Sequence, residues 1–254
     1  MNLYEICFSP TGGTKKAADI LTAGLSGDVL TVDLTDPHKD FSTVSPTRED
    51  VAVIAVPSYG GRVPAPAVHR IAAIRGSGAR AILLCVYGNR AYEDTLAELQ
   101  DTVQQAGFQV VAAVAAVAEH SIARQFAAGR PDEEDSRQLA QFAAQIQEKL
   151  KAGDLSQPAI PGNRPYKKAG GAGLVPKPTK ACVSCGVCAQ QCPVQAIDAQ
   201  HPGQVDGKAC ISCMRCVSVC PHSARNIPAL ILSAAGLALK KVCSTRKTCE
   251  LFLS

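Results

Sequence analysis

The sequence predicts an α/β chain, with a doubly wound sheet of five parallel strands followed by a small α+β unit. Three observations predict this. Apolar runs alternate with amphipathic segments over residues 1–152. Three of the apolar runs end in polar, glycine-containing turns. Two cysteine runs, CVSCGVCAQQCP from Cys182 and CISCMRCVSVCP from Cys210, repeat the pattern C-x2-C-x2-C-x3-C-P at an offset of 28 positions.

The first apolar run, Leu3 to Phe8, leads into Ser9-Pro10-Thr11-Gly12-Gly13-Thr14. Ala17, Leu21 and Leu25 then share one face, so the order is strand, glycine-rich turn, helix. Such a turn presents N–H groups and hydroxyls at a helix N-terminus, where the dipole favours an anion, and the expected ligand is a phosphate. The Lys-Ser/Thr ending of a nucleoside-triphosphate loop is missing, and so is G-x-G-x-x-G. An ordinary capped strand–helix turn is the competing reading.

Asp28 to Asp33 reads as a second strand. Residues 34–50 are polar, with two prolines and no helical period. Val51 to Val56 is apolar throughout, as a strand buried on both faces should be. It ends in Pro57-Ser58-Tyr59-Gly60-Gly61-Arg62, and a helix from about Pro66 turns Val68, Ile71 and Ile74 inward. Ala79 to Val86 is the fourth strand and ends in Tyr87-Gly88-Asn89-Arg90-Ala91-Tyr92. An amphipathic helix follows, with Tyr92, Leu96, Leu99, Val103 and Ala106 on one stripe. Gln109 to Val117 is the fifth strand. Asp132 to Lys151 is the last helix of this part, acidic at its start and basic at its end.

In a doubly wound sheet the ligand sits outside the carboxyl ends of the strands. Three loops stand there: 9–14, 57–62 and 87–92. A phosphate turn beside two tyrosine-bearing loops describes a site for a flat ring with a phosphate tail. The candidate cofactor-binding residues are Ser9, Thr11, Gly12, Gly13 and Thr14; Pro57, Ser58, Tyr59, Gly60 and Gly61; and Tyr87, Gly88, Asn89 and Tyr92. Tyr92 also lies on the helical stripe, so core packing is an equal reading for it.

The eight cysteines of the two runs are metal ligands by spacing. Three cysteines two residues apart bend around one cubic 4Fe–4S cluster, and the fourth, before a proline, ligates the other. Cys182, Cys185, Cys188 and Cys220 then hold one cluster, and Cys210, Cys213, Cys216 and Cys192 the other. Zinc sites use two C-x2-C pairs rather than a triplet, and a disulfide framework needs an oxidising compartment. Cys243 and Cys249, six apart, fit no common ligand pattern. Cys7 and Cys85 lie in apolar strands as core thiols.

Charge is uneven along the chain. From Asp154 onward there are 12 Lys/Arg against 4 Asp/Glu, so that part carries +8 and residues 1–153 carry −4. Clusters held by thiolates are anionic, and the basic surplus offsets them. No basic face with interleaved aromatics marks a nucleic-acid site. The apolar stretch Pro228 to Leu239 is shorter than the about 20 residues of a membrane span. A strand beginning at Leu3 leaves no room for a signal peptide, and with many thiols the expected location is the cytoplasm. The expected domains are 1–152, a Pro/Gly/Lys linker at 153–176, the cysteine-rich unit at 177–227 and a helical tail at 228–254. His120 and Glu119 fall at a strand end near the ligand face and read as structural.

Residues 177–227 resemble the bacterial two-cluster ferredoxins. Cys-Pro-Val-Gln-Ala-Ile after the first run and Cys-Pro-His-Ser-Ala-Arg after the second match that family's short return strand. Ser9 to Thr14 resembles the flavodoxin phosphate loop, Ser/Thr-x-Thr-Gly-x-Thr. That resemblance implies FMN, with Tyr59-Gly60-Gly61 along one side of the ring and Tyr87 to Tyr92 along the other. It also implies a Gly60–Gly61 peptide that reorients beside the flavin. The acidic rim usual in flavodoxins is replaced here by Arg62 and Arg90, which face the flavin, the ferredoxin half or solvent.

Together the halves resemble a flavodoxin–ferredoxin fusion family. The resemblance implies an electron carrier with FMN and two 4Fe–4S clusters, converting between one- and two-electron couples and docking on protein redox partners. Two other functions stay open: a flavin-dependent reductase of a small molecule or nicotinamide cofactor, and a ferredoxin carrying a flavin-free docking domain. No catalytic residue is assigned.

Overall fold

A computed structural model describes residues 1–253 of the chain. In order, β1 (Asn2–Cys7) is followed by α1 (Gly13–Ala23), β2 (Asp28–Asp33), β3 (Val51–Pro57), α2 (Ala65–Ala72), β4 (Arg80–Tyr87), α3 (Thr95–Gln105), β5 (Gln109–Val117) and α4 (Glu133–Lys151). The five strands run parallel in the order β2-β1-β3-β4-β5. This is the flavodoxin-like winding, whose switch point lies between β1 and β3. Between β2 and β3 the chain forms only a 3-10 turn, Phe41–Thr43, in keeping with the two prolines of that stretch.

The central strands are apolar on both faces because both faces are covered. Every residue of β3 is buried, as are Ala81–Tyr87 of β4. On one side Ile54 and Leu83 pack with Ile71 of α2 and with Leu96, Leu99 and Val103 of α3. On the other, Val53 and Leu84 pack with Leu21 of α1 and with Leu139 and Ile146 of α4. Each fully buried Leu or Ile contributes about 1.5–3 kcal/mol, so the sheet centre is a stable frame for the polar loops at its carboxyl end. Helix α4 begins in a capping box: Asp132 accepts from Glu134 N and Asp135 N, and Asp135 accepts from Asp132 N.

The linker is docked rather than free. Asp94, buried at the start of α3, accepts from Asn163 N (2.8 Å), Asn163 Nδ2 (2.9 Å) and Lys167 N (2.7 Å). Arg164 pairs with Asp101 at 2.7 Å, the Tyr166 hydroxyl donates to the same carboxylate, and Arg62 lies 4.9 Å over the Tyr166 ring.

The cysteine-rich unit is a pseudo-repeat. β6 (Lys177–Pro178) enters it, α5 (Val187–Gln190) and α6 (Arg215–Ser218) follow the two cysteine triplets, and β7 (Arg225–Asn226) closes it against β6. Both helices start from a left-handed residue, Gly186 and Met214, at the same offset of 28.

The tail differs from expectation. It is helical only over α7 (Ala229–Cys243), after which β8 (Glu250–Phe252) pairs antiparallel with β5, Val114 opposite Leu251. The sheet therefore has six strands, the five expected parallel ones and an added edge. The outer edge of β5 is apolar, and an apolar edge is stabilised by cover. Phe252 reaches the α2/α3 side, and Cys249, Leu251 and Leu253 reach the α1/α4 side, the alternation of a strand. No helix among the described residues is long and apolar enough to cross a membrane.

Candidate functional site: two cysteine cradles and a roofed cavity

The eight run cysteines gather in two groups of four. Cys182, Cys185, Cys188 and Cys220 ring one cradle; Cys192, Cys210, Cys213 and Cys216 ring the other. The fourth cysteine of each run sits with the triplet of the other. The turns that aim the sulfurs need left-handed backbone at Ser184 (φ 54°) and Ser212 (φ 55°), a matched pair. Main-chain amides approach the fourth cysteine of each run: Ala196 N lies 3.4 Å from Cys192 Sγ, and Ala224 N lies 3.3 Å from Cys220 Sγ. Such N–H···S contacts stabilise thiolate charge and raise a cluster's potential. Burial pushes the Cys216 thiol up to about 11, so without a metal the thiol form is favoured there. Among the described residues no His, Cys, Asp or Glu side chains converge as a single-ion site.

The three loops at the strand carboxyl ends converge on a cavity of 510 Å³, within the range that takes a cofactor. From the first loop Thr11, Gly13 and Thr14 line it; from the second Pro57, Ser58, Tyr59 and Gly60; from the third Tyr87 and Gly88. Helix α1 starts from Gly12 in a left-handed conformation; Ser9 Oγ takes the Lys15 amide of its first turn, and Gly13 and Thr14 of the same turn line the cavity. The Tyr59–Arg62 turn is closed by Tyr59 N to Arg62 O (3.0 Å) and Arg62 N to Tyr59 O (3.2 Å). Both central residues have positive φ, 63° and 83°, which glycine meets without strain. A Cβ on Gly60 would also fall 2.5 Å from the Gly170 carbonyl oxygen.

Five expected residues do not line the cavity. Ser9 Oγ accepts from Lys15 N (2.9 Å), bracing the loop from behind. Gly12 supplies the turn. Gly61 packs on Glu93. Asn89 is turned away, donating to Cys243 O (2.7 Å) and Thr245 O (2.9 Å). Tyr92 packs edge-on to Tyr87, with ring centroids 5.3 Å apart, and donates to Glu250 Oε2 at 3.1 Å. The tail thus occupies the polar groups of the third loop that the sequence offered to a ligand.

The rim arginines carry their own counter-charges. Arg62 forms a two-pronged pair with Glu98 (2.7 and 2.6 Å), and Arg90 pairs with Glu93 at 2.9 Å. His120 lines the cavity, and it is structural as well. Its Nδ1 accepts from Ile122 N (3.2 Å) and Ala123 N (3.1 Å), so the neutral ring carries its proton on Nε2. Burial holds its pKa below the ordinary 6.5. Gly88 is the residue that admits this ring, since a Cβ there would lie 2.8 Å from His120 atoms.

The rest of the wall comes from segments far away in sequence. Gly170, Gly171 and Leu174 of the linker close one side, and Ile231, Ala235 and Leu239 of α7 form a roof. Ile211 and Ser212, between Cys210 and Cys213 of the second cradle, complete the wall. Ser212 Oγ accepts from Leu174 N at 3.1 Å. Two further bonds hold the halves together: Arg215 Nη1 to Pro10 O (3.2 Å), and Arg70 Nη2 to Pro193 O. None of these contacts has a local sequence signal.

Cys243 is buried with Ala123 and Phe126, and Cys249 Sγ lies 3.8 Å from Asp135 Oδ1. Cys7 and Cys85 are buried in β1 and β4, where burial pushes both thiols far up.

A family profile described as a 4Fe-4S dicluster domain matches residues 181–224. Solved structures similar to the N-terminal part include three flavodoxins. One, from the domain Archaea, is 14% identical with a TM-score of 0.42, covering 59% of this chain and 99% of its own. The flavodoxin of Streptococcus pneumoniae TIGR4 is 24% identical, with a TM-score of 0.42 and the same coverage. That of Fusobacterium nucleatum, solved with flavin mononucleotide, is 19% identical, with a TM-score of 0.40, covering 60% of this chain and 99% of its own. No curated protein matches the chain. The strand order defines the N-terminal fold independently of these matches. The chain is a fusion of a flavodoxin-like α/β domain with a 4Fe–4S ferredoxin-type domain.

Proposed function

We propose that this protein is an electron carrier in which two 4Fe–4S clusters and FMN exchange electrons within one chain. One observation carries the reading: the cavity formed by the phosphate turn and the tyrosine loops is walled by Ile211 and Ser212, which lie between Cys210 and Cys213. The Cys192/Cys210/Cys213/Cys216 cluster then borders the flavin, and the other cluster lies beyond it. Thr11 and Thr14 hold the phosphate, Tyr59 and Tyr87 flank the ring, and α7 excludes water from above. FMN supplies one- and two-electron chemistry, the clusters supply one-electron steps, and the protein supplies position and electrostatics. Protein redox partners deliver or collect the electrons.

The test is composition followed by reduction. Anaerobically purified protein should release about one FMN and about eight iron atoms per chain, as two clusters and one flavin require. Sub-stoichiometric reductant should bleach cluster and flavin absorbance together. No flavin after incubation with excess FMN would leave a ferredoxin with a docking domain.

A further inference from the structure

Arg225 departs from the repeat that builds its surroundings. The two runs and their return segments correspond at an offset of 28, which pairs Cys192 with Cys220, Ala196 with Ala224, and Ile197 with Arg225. The structure keeps this correspondence in the two matched N–H···S contacts at Cys192 and Cys220. In the first half the next position is the aliphatic Ile197, which packs beside Cys192 and Ala196. In the second half it is a guanidinium, and the residue is only 3% exposed.

The partners of Arg225 do not account for its charge. Nη1 donates to the Pro202 carbonyl at 2.8 Å and lies 3.3 Å from Cys188 Sγ. Nε and Nη2 are buried with no protein acceptor. No ion pair with a carboxylate forms among the described residues. An unpaired buried cation is strongly unfavourable unless opposite charge is supplied, and each orphaned N–H adds to the cost. Arg225 borders both cysteine cradles, that of Cys182/Cys185/Cys188/Cys220 and that of Cys192/Cys210/Cys213/Cys216. The missing negative charge is what two thiolate-bound clusters bring.

We propose that Arg225 is an internal counter-charge shared by the two clusters, setting their reduction potentials through its charge and through N–H···S bonds to thiolate and sulfide. The inference rests on the two-cluster reading above. A 4Fe–4S centre held by four thiolates carries roughly −2 when oxidised and roughly −3 after taking one electron, so a nearby cation favours the reduced form. Both couples are therefore raised, and the Cys182/Cys185/Cys188/Cys220 couple is raised more, because Nη1 already touches Cys188.

The experiment uses the full chain, purified anaerobically, with EPR-monitored redox titration of wild type, Arg225→Ile, Arg225→Gln and Arg225→Lys. Iron and acid-labile sulfide are counted in each. Arg225→Ile, which installs the residue of the first half, should shift the reduced-to-oxidised ratio of at least one couple tenfold or more toward oxidised at fixed potential, about 59 mV for one electron. Arg225→Gln should shift it in the same direction, and Arg225→Lys should recover most of the wild-type value. If Arg225→Ile fails to load, the Gln and Lys variants decide. Loaded variants with unchanged potentials overturn the counter-charge and leave a packing role. Wild-type protein with no iron overturns the two-cluster reading itself, a distinct outcome.

Discussion

The side-chain amide of Asn89 donates to the main-chain carbonyl of Cys243 at 2.7 Å, joining the third ligand-side loop to the end of α7 across 154 positions. The same side chain donates to Thr245 O and accepts from Lys247 N at 3.1 Å. Asn89 is 3% exposed and has a φ of 61°, a conformation that asparagine tolerates better than most residues. Asn89→Ala leaves two carbonyls and an amide without partners, and the expected loss of stability is about 2–3 kcal/mol in urea denaturation. Because α7 roofs the cavity, bound FMN should also dissociate faster. Unchanged stability and flavin release would show that the tail is held by its other bonds, among them the Arg246 pair with Asp132 and the β8 pairing, without the Asn89 side chain.

Thr11 and Thr14 are the cavity-lining hydroxyls of the first loop. Thr14→Val keeps the shape and removes one donor to a charged phosphate. Such a bond is worth about 1.5–3 kcal/mol, so FMN affinity should fall about 10- to 100-fold. Flavin fluorescence titration measures this, and iron content should not move. Equal FMN affinity in the double Thr11→Val/Thr14→Val variant would remove the phosphate role of this turn.

Cys192 belongs to the first run in sequence and to the second cradle in space. Cys192→Ala should therefore disturb the cluster beside the cavity and slow reduction of FMN through the chain. Cys182→Ala should disturb the far cluster and leave the near one intact. Stopped-flow flavin bleaching with a one-electron donor separates the two. Identical effects would contradict the crossed partition.

The linker clamp at Asp101 makes stability depend on pH at both ends. Hydrogen bonding from Arg164, opposed by burial and aided by Tyr166, holds the Asp101 carboxyl below its ordinary 3.8. A carboxylate depressed in the folded state contributes stability above that value and loses it as pH falls through the folded pKa. Burial, and then the bond to Asp101, push Tyr166 from 10.0 up to about 12. Its contribution is complete below pH 10 and fades toward pH 12. Asp101→Asn should thus destabilise near neutral pH, with a difference from wild type that closes below about pH 4. Denaturation midpoints across pH check this; a pH-independent difference would mean the clamp acts through shape alone.

The crossed grouping of the eight cysteines into two cradles was legible because short covalent spacing dictates which sulfurs meet. The parallel sheet was legible because strands buried on both faces are apolar throughout, as Val51 to Val56 shows. The roof of the cavity was not. Strand β8 is three residues long, too short for a period to register, and it pairs with an edge of β5 that is far away in sequence. Asn89 and Tyr92 carry the right chemistry for a ligand loop, but the tail claims both. His120 was visible as a residue near the ligand face; that its ring holds the Ile122 and Ala123 amides depends on loop geometry. Arg225 stands out once the repeat is aligned, whereas its burial follows only from the way β7 closes on β6.

The chain leaves the α/β domain after α4 and comes back to it as β8, so the ferredoxin-type unit is stitched in at both ends. A single cut in the linker would leave it attached through α7 and the last strand. Two fixed attachment points leave the cysteine cradles little room to swing away from the cavity. Their local concentration at that wall is set by architecture rather than by dilution. On the proposed reading, exchange between cluster and flavin would be insulated from competing carriers, and recognition of outside partners would fall to the unit's outer face.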